Sequence, residues 1–488
     1  MSSSTTDAIY VFSDSDLDTD DLFILDSPDP QPHSQDFSGG VKRKLASTND
    51  SQRDTALRQR HSGGKLAFPD GIVRLTRMTG GKANVSEAVT LTDIIQPNLV
   101  RKALLSTFVL DIDWLLAHFN SSTRVVVVKS YNPKVERRGV YQSHNGRVTL
   151  VNPEFTDKQA YPIMHSKIML LFYDDYVRFV VSSANLFDVD WTMLQNIVFM
   201  QDLPYTPSTV HASTEFGTTL AESLRDLSVP EAVVEQLRHI DFSCVKAHIV
   251  TSVPSSPGRS KYHSTSYGQA RLSKIVQRIN DSANVDAKEK YSATLYCYGS
   301  SMGRLTNAYL RSFYASALGT SLASVQGKGG LAPGDIEKRI KVGFHTSAQT
   351  ASNAHGPTPC ECIKFSSQYY ADRTFPKYAL YKIEPMVPST LVHAKVILSR
   401  FNPKEGQPQT RGWMYLGSHN FTPGAWGHLK SYGSGIYVNN YEYGIILPDV
   451  QFESVFGRDS VTWNGLKVPL PFKLTWQKYE SGDQPHLS

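Results

Sequence analysis

The feature that most constrains this chain is a pattern that occurs twice. Met164-His165-Ser166-Lys167 opens the apolar run Ile168-Met169-Leu170-Leu171-Phe172. Strand residues alternate faces, so positions two apart point the same way. One imidazole and one ammonium should therefore project together from the start of a buried strand. A polar turn, Asp174-Asp175, and a second apolar run, Val177 to Val181, lead to Ser182-Ser183-Ala184-Asn185. The construction returns at Leu391-Val392-His393-Ala394-Lys395-Val396-Ile397-Leu398, followed by a strand from Gly412 to Leu416 and then Gly417-Ser418-His419-Asn420. One H-x-K arises easily by chance. Two copies, each with a hairpin-like return and an S-x-N, each in its own half, amount to an internal duplication.

This duplicated H-x-K…N pattern resembles the phospholipase D superfamily, and within it the tyrosyl-DNA phosphodiesterases. Most of the superfamily carries an Asp five residues after the Lys. Those positions are Phe172 and Arg400 here, a departure that resembles the tyrosyl-DNA branch and not the lipases. The resemblance runs from about residue 70 to the end. It includes a strand followed by Asp111-Ile112-Asp113-Trp114, a Ser-Ser loop at Gly299-Ser300-Ser301, and a closing Val468-Pro469-Leu470-Pro471-Phe472. It implies an α/β fold of two similar phospholipase D-like α/β/α domains related by pseudo-twofold symmetry. The expected boundaries are 1–66 for a disordered acidic tail, 67–245 for the first domain and 246–488 for the second.

Composition agrees with a nucleic-acid substrate. Residues 1–36 hold nine Asp and no Lys, Arg or Glu; the rest, with 50 basic against 36 acidic residues, carries +14. A positive body with an acidic tail suits a polyanionic ligand. No run of 18 apolar residues and no secretory signal occurs, so a soluble intracellular protein without membrane attachment is expected. Four cysteines in 488 residues argue against a disulfide framework. Cys360-Glu361-Cys362 lacks a second pair that would complete a zinc site.

Along the chain, residues 1 to about 65 lack sustained periodicity. Ile9-Tyr10-Val11-Phe12 and Leu22-Phe23-Ile24-Leu25, each beside Ser and Asp, resemble SUMO-interacting motifs. Lys42-Arg43-Lys44 is a candidate nuclear-import patch, which points to the nucleus. Val73 to Arg77 and Arg124 to Val128 read as strands. Leu91 to Ala117 carries mostly helical spacing, with a break at Pro97. Strand–helix–strand alternation argues α/β.

By resemblance, His165 is a nucleophile and His393 a general acid and later base. Lys167, Lys395, Asn185 and Asn420 bind phosphate. Glu442, a carboxylate on the apolar strand beginning at Tyr441, orients His165. An amide after Trp191 orients His393; Gln195 is the best match though its spacing is one residue short, and Asn196 is the fallback. Tyr161, Ser300, Ser301, Thr422 and Trp426 are candidate substrate or DNA contacts. Such a site needs no metal or other cofactor, since two Lys and two Asn can neutralise and hold one phosphodiester. The implied substrate is DNA whose 3′ phosphate is esterified to a tyrosine of a trapped topoisomerase I peptide, or another 3′ adduct, acted on by a monomer. Another phospholipase D-type nuclease or lipid hydrolase, and a non-catalytic nucleic-acid scaffold, are the rival readings.

Overall fold

The computed structural model describes residues 66–488, apart from 80–87, 132–135, 137, 144, 154–161, 208–212, 255–265, 286–291, 321–332, 403–408, 430–435 and 456–457. The acidic tail, the two SUMO-type runs, Lys42-Arg43-Lys44 and Tyr161 lie outside the described residues.

The two H-x-K segments sit at equivalent places in two sheets. The first H-x-K strand, Ile168–Phe172, pairs antiparallel with its return strand Tyr176–Ser182 and with Lys102–Thr107. Lys102–Thr107 pairs parallel with Arg124–Lys129, which pairs parallel with Val148–Asn152; Gly139–Gln142 closes that edge antiparallel. On the other side of the return strand come Ile197–Pro204 and Ile72–Leu75, both antiparallel.

The second sheet repeats this order and these directions strand for strand. Val396–Arg400 lies between Gln409–Gly417 and Thr294–Tyr298. Beyond Thr294–Tyr298 come Ile340–Phe344 and Leu380–Pro385, both parallel, then Phe472–Lys478, antiparallel. Beyond Gln409–Gly417 come Asn440–Val455 and His248–Ser252, both antiparallel. The second copy adds Arg458–Trp463 and Leu466–Lys467 on Asn440–Val455 and its neighbour.

Central strands buried on both faces read as continuous apolar runs. Lys102–Thr107, expected to be helical, is accordingly a strand. Ala103, Leu104, Leu105, Ser106 and Thr107 are all buried because the segment lies between two other strands. The helices there are the short Leu91–Ile95, capped by Thr90 with Asp93, and Ile112–Leu116, capped by Asp111. Helices cover the outer faces: Leu91, Ile95, Leu115 and Trp191 pack on the first sheet, and Leu272, Ile275, Leu310 and Phe313 on the second. The inner faces share one core, in which Leu170 and Phe179 of the first half meet Met414, Leu416 and Tyr443 of the second. Two α/β units thus stand with the inner faces of their sheets against each other.

A buried ion pair ties the entry of the chain to the first sheet. Arg178 donates to both carboxylate oxygens of Asp202, at 2.7 and 3.1 Å, and to the Ile94 carbonyl. Asp202 also accepts the backbone N–H groups of Ala67 and Phe68. Neither Arg178 nor Asp202 is exposed. Removing one partner strands the other charge. Asp202→Ala is expected to lower unfolding free energy by about 3–5 kcal/mol, read from urea denaturation; a loss below 1 kcal/mol would contradict the assignment.

Candidate active site

Each histidine is placed by a strand of the opposite half. The two-residue strand Ile163–Met164 pairs parallel with Asn440–Tyr441, and the His165 N–H donates to the Tyr441 carbonyl at 2.9 Å. Likewise Leu391–Val392 pairs parallel with Leu194–Gln195, and the His393 N–H donates to the Gln195 carbonyl at 2.9 Å. The residue after each accepting carbonyl meets the imidazole. Glu442 Oε2 lies 2.9 Å from His165 Nδ1. Asn196 Oδ1 lies 3.2 Å from His393 Nδ1.

This register settles which amide faces His393. The Gln195 side chain points elsewhere and donates to the Thr76 carbonyl at 2.8 Å. Gln195 is therefore corrected to Asn196. Side chains alternate along a strand, so Gln195 and Asn196 cannot both face the ring.

The supporting bonds repeat across the pseudo-twofold. Ser183 Oγ donates to Asn196 Oδ1 at 2.7 Å and accepts the Ile197 N–H at 3.0 Å. Ser418 Oγ donates to Glu442 Oε2 and accepts the Tyr443 N–H at 2.9 Å. The serines of the two S-x-N segments thus hold the two residues behind the imidazoles. The S-x-N spacing alone gives no sign of this role.

The lysines are fixed by their own motifs. Lys167 Nζ donates to the His165 carbonyl and Lys395 Nζ to the His393 carbonyl, both at 2.8 Å. Lys395 Nζ also donates to His393 Nε2 at 2.9 Å. That bond assigns Nε2 as the acceptor and Nδ1 as the N–H of a neutral ring. Burial pushes the His393 pKa well below the usual range, and Lys395, Lys167 and His165 push it further down. Glu442 is pushed up by burial, against the pull of His419 and Lys167.

The asparagines close the set. Asn185 Oδ1 accepts the Val109 N–H at 3.2 Å, and Asn420 Oδ1 accepts the Ser301 N–H at 3.1 Å. The carbonyl oxygens are so held, and one Asn185 side-chain N–H donates to Asp190 Oδ2 at 2.9 Å. Gly299 is required here, because a Cβ would lie 2.9 Å from the Phe421 nitrogen and 3.1 Å from Asn420 Oδ1. His165 and His393 remain about one-twentieth exposed, whereas Lys395 and Glu442 are sealed. Asn185 keeps a similar small exposure, so it opens to the same side as the two imidazoles. Phe108, half-buried, sets its ring 5.5 Å from that of His165, a neighbour that no sequence signal marked.

The candidate contact residues divide. Ser300 is buried and, with Ser301, supports Asn420. Thr422 caps the helix Pro423–Trp426 by accepting the Ala425 N–H. Trp426 is wholly buried, 4.3 Å from the His419 ring and packed on Phe313 and Tyr415, so it cannot stack on a base. Trp426 is therefore corrected from a substrate contact to a structural residue. Among the described residues no group of three or more His, Cys, Asp or Glu side chains is placed to hold a metal ion, and no helix is long and apolar enough to cross a membrane.

Comparison with known proteins identifies the family. The family model for tyrosyl-DNA phosphodiesterases matches residues 72–480. The chain belongs to the tyrosyl-DNA phosphodiesterase family. It is 24% identical over 459 residues to tyrosyl-DNA phosphodiesterase 1 of Arabidopsis thaliana, covering 83% of this chain and 71% of that protein. It is 24% identical over 447 residues to the Drosophila melanogaster protein of the same name, covering 85% and 73%. Its fold is similar to the crystal structure of yeast tyrosyl-DNA phosphodiesterase, with a TM-score of 0.63, 16% identity, and coverage of 86% of this chain and all of that one. As a family member it is a phosphoric diester hydrolase.

Two outcomes test the site. Asn196→Ala is expected to slow turnover about tenfold or more, while Gln195→Ala costs about 1–3 kcal/mol of stability through the orphaned Thr76 carbonyl and spares the turnover of folded enzyme. Steady-state kinetics beside thermal melts separate them; a reversed pattern restores Gln195.

The second outcome concerns pH. Buried His345 and His419 are pushed down to about 4 and about 3. His345 Nε2 accepts the Val392 N–H, and His419 accepts from the Tyr415 hydroxyl. Both titrate lower folded than unfolded, so their stabilisation is complete above the ordinary imidazole value and lost as pH falls. Each should remove about 3 kcal/mol between pH 7 and pH 4. His419→Gln should show a shallower pH slope of melting temperature than the parent; parallel slopes would refute it.

Proposed function

We propose that this enzyme hydrolyses the bond between a DNA 3′ phosphate and tyrosine, as left by a trapped type I topoisomerase, through a covalent phosphohistidine. Other 3′ adducts with acidic leaving groups fit the same chemistry, and the nucleus is the compartment proposed for it, on the Lys42-Arg43-Lys44 patch. The observation that carries this reading is the reciprocal pair, His165 on Glu442 and His393 on Asn196, with a lysine bonded to each histidine's carbonyl.

Because Nδ1 of His165 is engaged by Glu442, Nε2 is the attacking atom. It forms the P–N bond as the P–O bond to tyrosine breaks, and the carboxylate supports the positive charge that develops on the ring. His393 delivers a proton from Nε2 to the leaving phenolate oxygen. It then takes a proton from water, which displaces His165 and leaves a 3′ phosphate. The carboxylate behind one ring and the amide behind the other separate nucleophile from acid. Lys167, Lys395, Asn185 and Asn420 neutralise and hold the non-bridging oxygens.

In the free site burial disfavours protonation of His393, and the Lys395 and Lys167 ammonium groups add to that effect. A bound phosphodiester offsets those charges and raises its proton affinity. The acid thus becomes competent when substrate arrives.

The expected results, with a 3′-phosphotyrosyl oligonucleotide, are these. His165→Ala abolishes turnover and any adduct. His393→Ala retains adduct, trapped on denaturing gels, to a higher level than the parent. Activity persists in excess EDTA. Full hydrolysis by either variant, or strict dependence on a divalent ion, would sink the mechanism.

A further inference from the structure

Asp190 is a buried carboxylate that the mechanism above leaves unused. It sits on the helix Asp188–Thr192 and is wholly shielded from solvent. Its Oδ2 accepts the Asn185 side-chain N–H at 2.9 Å and the Asn185 backbone N–H. The same oxygen lies 3.4 Å from His393 Nδ1. Its Oδ1 has no hydrogen-bond partner among the described residues. An ionisable group so placed is expensive unless charge nearby offsets it. Lys395 and Lys167 both act on it, opposing the upward push of burial.

The pseudo-twofold sharpens the point. Asp190 lies five residues after Asn185; five after Asn420 stands Ala425. Trp191 and Trp426 follow in both copies, so the helices correspond. Asn196, in turn, corresponds to Glu442. Each imidazole therefore has one carboxylate, but from different places. Glu442 contacts His165 along the strand register. Asp190 reaches His393 from the helix, by way of the asparagine assigned to phosphate.

We propose that Asp190 is a positioning residue for His393, holding its ring and the Asn185 amide as one unit and balancing the imidazolium that His393 becomes when it acts as acid. This inference rests on the phosphodiesterase reading above and adds a group to it. The consequence is specific. Asp190 matters when the leaving group needs a proton and matters little when it does not.

The test is a single-turnover comparison of two oligonucleotides, one ending in a 3′-phosphotyrosine and one in a 3′-(4-nitrophenyl) phosphate, whose phenolate leaves unaided. Asp190→Asn is expected to lower the ratio of tyrosyl to nitrophenyl release about tenfold. The double variant Asp190→Asn with Asn196→Asp, which returns a carboxylate to His393, is expected to recover most of that ratio. Equal loss on both substrates, or no loss on either, overturns the proposal. Should Asp190→Asn fail to fold by circular dichroism, Asp190→Glu is read instead: a retained ratio supports the charge, and a lost ratio refutes it. A parent enzyme inert on both substrates would mean that the phosphodiesterase reading itself has failed. Activity of the parent with an unchanged ratio in the variants would mean that only this inference has.

Discussion

Two backbone hydrogen bonds carry the architecture of the site: His165 N–H to Tyr441 and His393 N–H to Gln195. Each joins a two-residue strand from one half to a strand of the other. Neither half can build a complete imidazole environment alone. The ring comes from one copy and its partner from the other, so the site exists only when the sheets pack face to face. The shared core of Phe179, Leu416 and Tyr443 makes that packing unavoidable, since separating the halves would expose their inner faces to water.

Symmetry supplies the frame of the site, and the proposed reaction draws on the places where that symmetry breaks. Ser183 and Ser418, Lys167 and Lys395, and Asn185 and Asn420 repeat closely, down to which backbone group each one meets. A fully symmetric site would have two histidines of equal basicity, and neither would be fitted to give up a proton while the other attacks, as the proposed reaction requires. The copies differ where it counts, at Glu442 against Asn196 and at Asp190 against Ala425. Duplication thus produced matched geometry, and substitution at two paired positions made the two rings unlike.

The duplicated motif was legible because it is local. Apolar runs, an alternation of two and the S-x-N ending are all written within 30 residues of chain in each copy. What sequence left open lies in cross-chain register. Counting from Trp191 brought Gln195 forward, yet pairing with Leu391–Val392 turns Gln195 outward to Thr76 and Asn196 inward. Lys102–Thr107 looked helical because a strand buried on both faces has no period of its own. Trp426 looked like a ligand contact because burial cannot be read from residue type. Asp190 was hidden for a related reason: five residues after an asparagine on a helix, its partner is 203 residues away, and only the fold brings them together.

The charge within the site explains why so much of it is buried. Lys167 and Lys395 are almost wholly shielded, and each is committed to the carbonyl of its own histidine. A surface lysine would be hydrated and screened, and would act weakly on a phosphate. A buried one, already desolvated and already placed, acts strongly and needs no rearrangement when substrate binds. Two ammonium groups cannot be buried without negative partners, and Glu442 and Asp190 are those partners. Their carboxylates sit behind the rings, away from where a phosphate would bind. In the proposed reaction the site can therefore remain folded and nearly neutral without ligand, yet still present its positive side to an incoming phosphodiester.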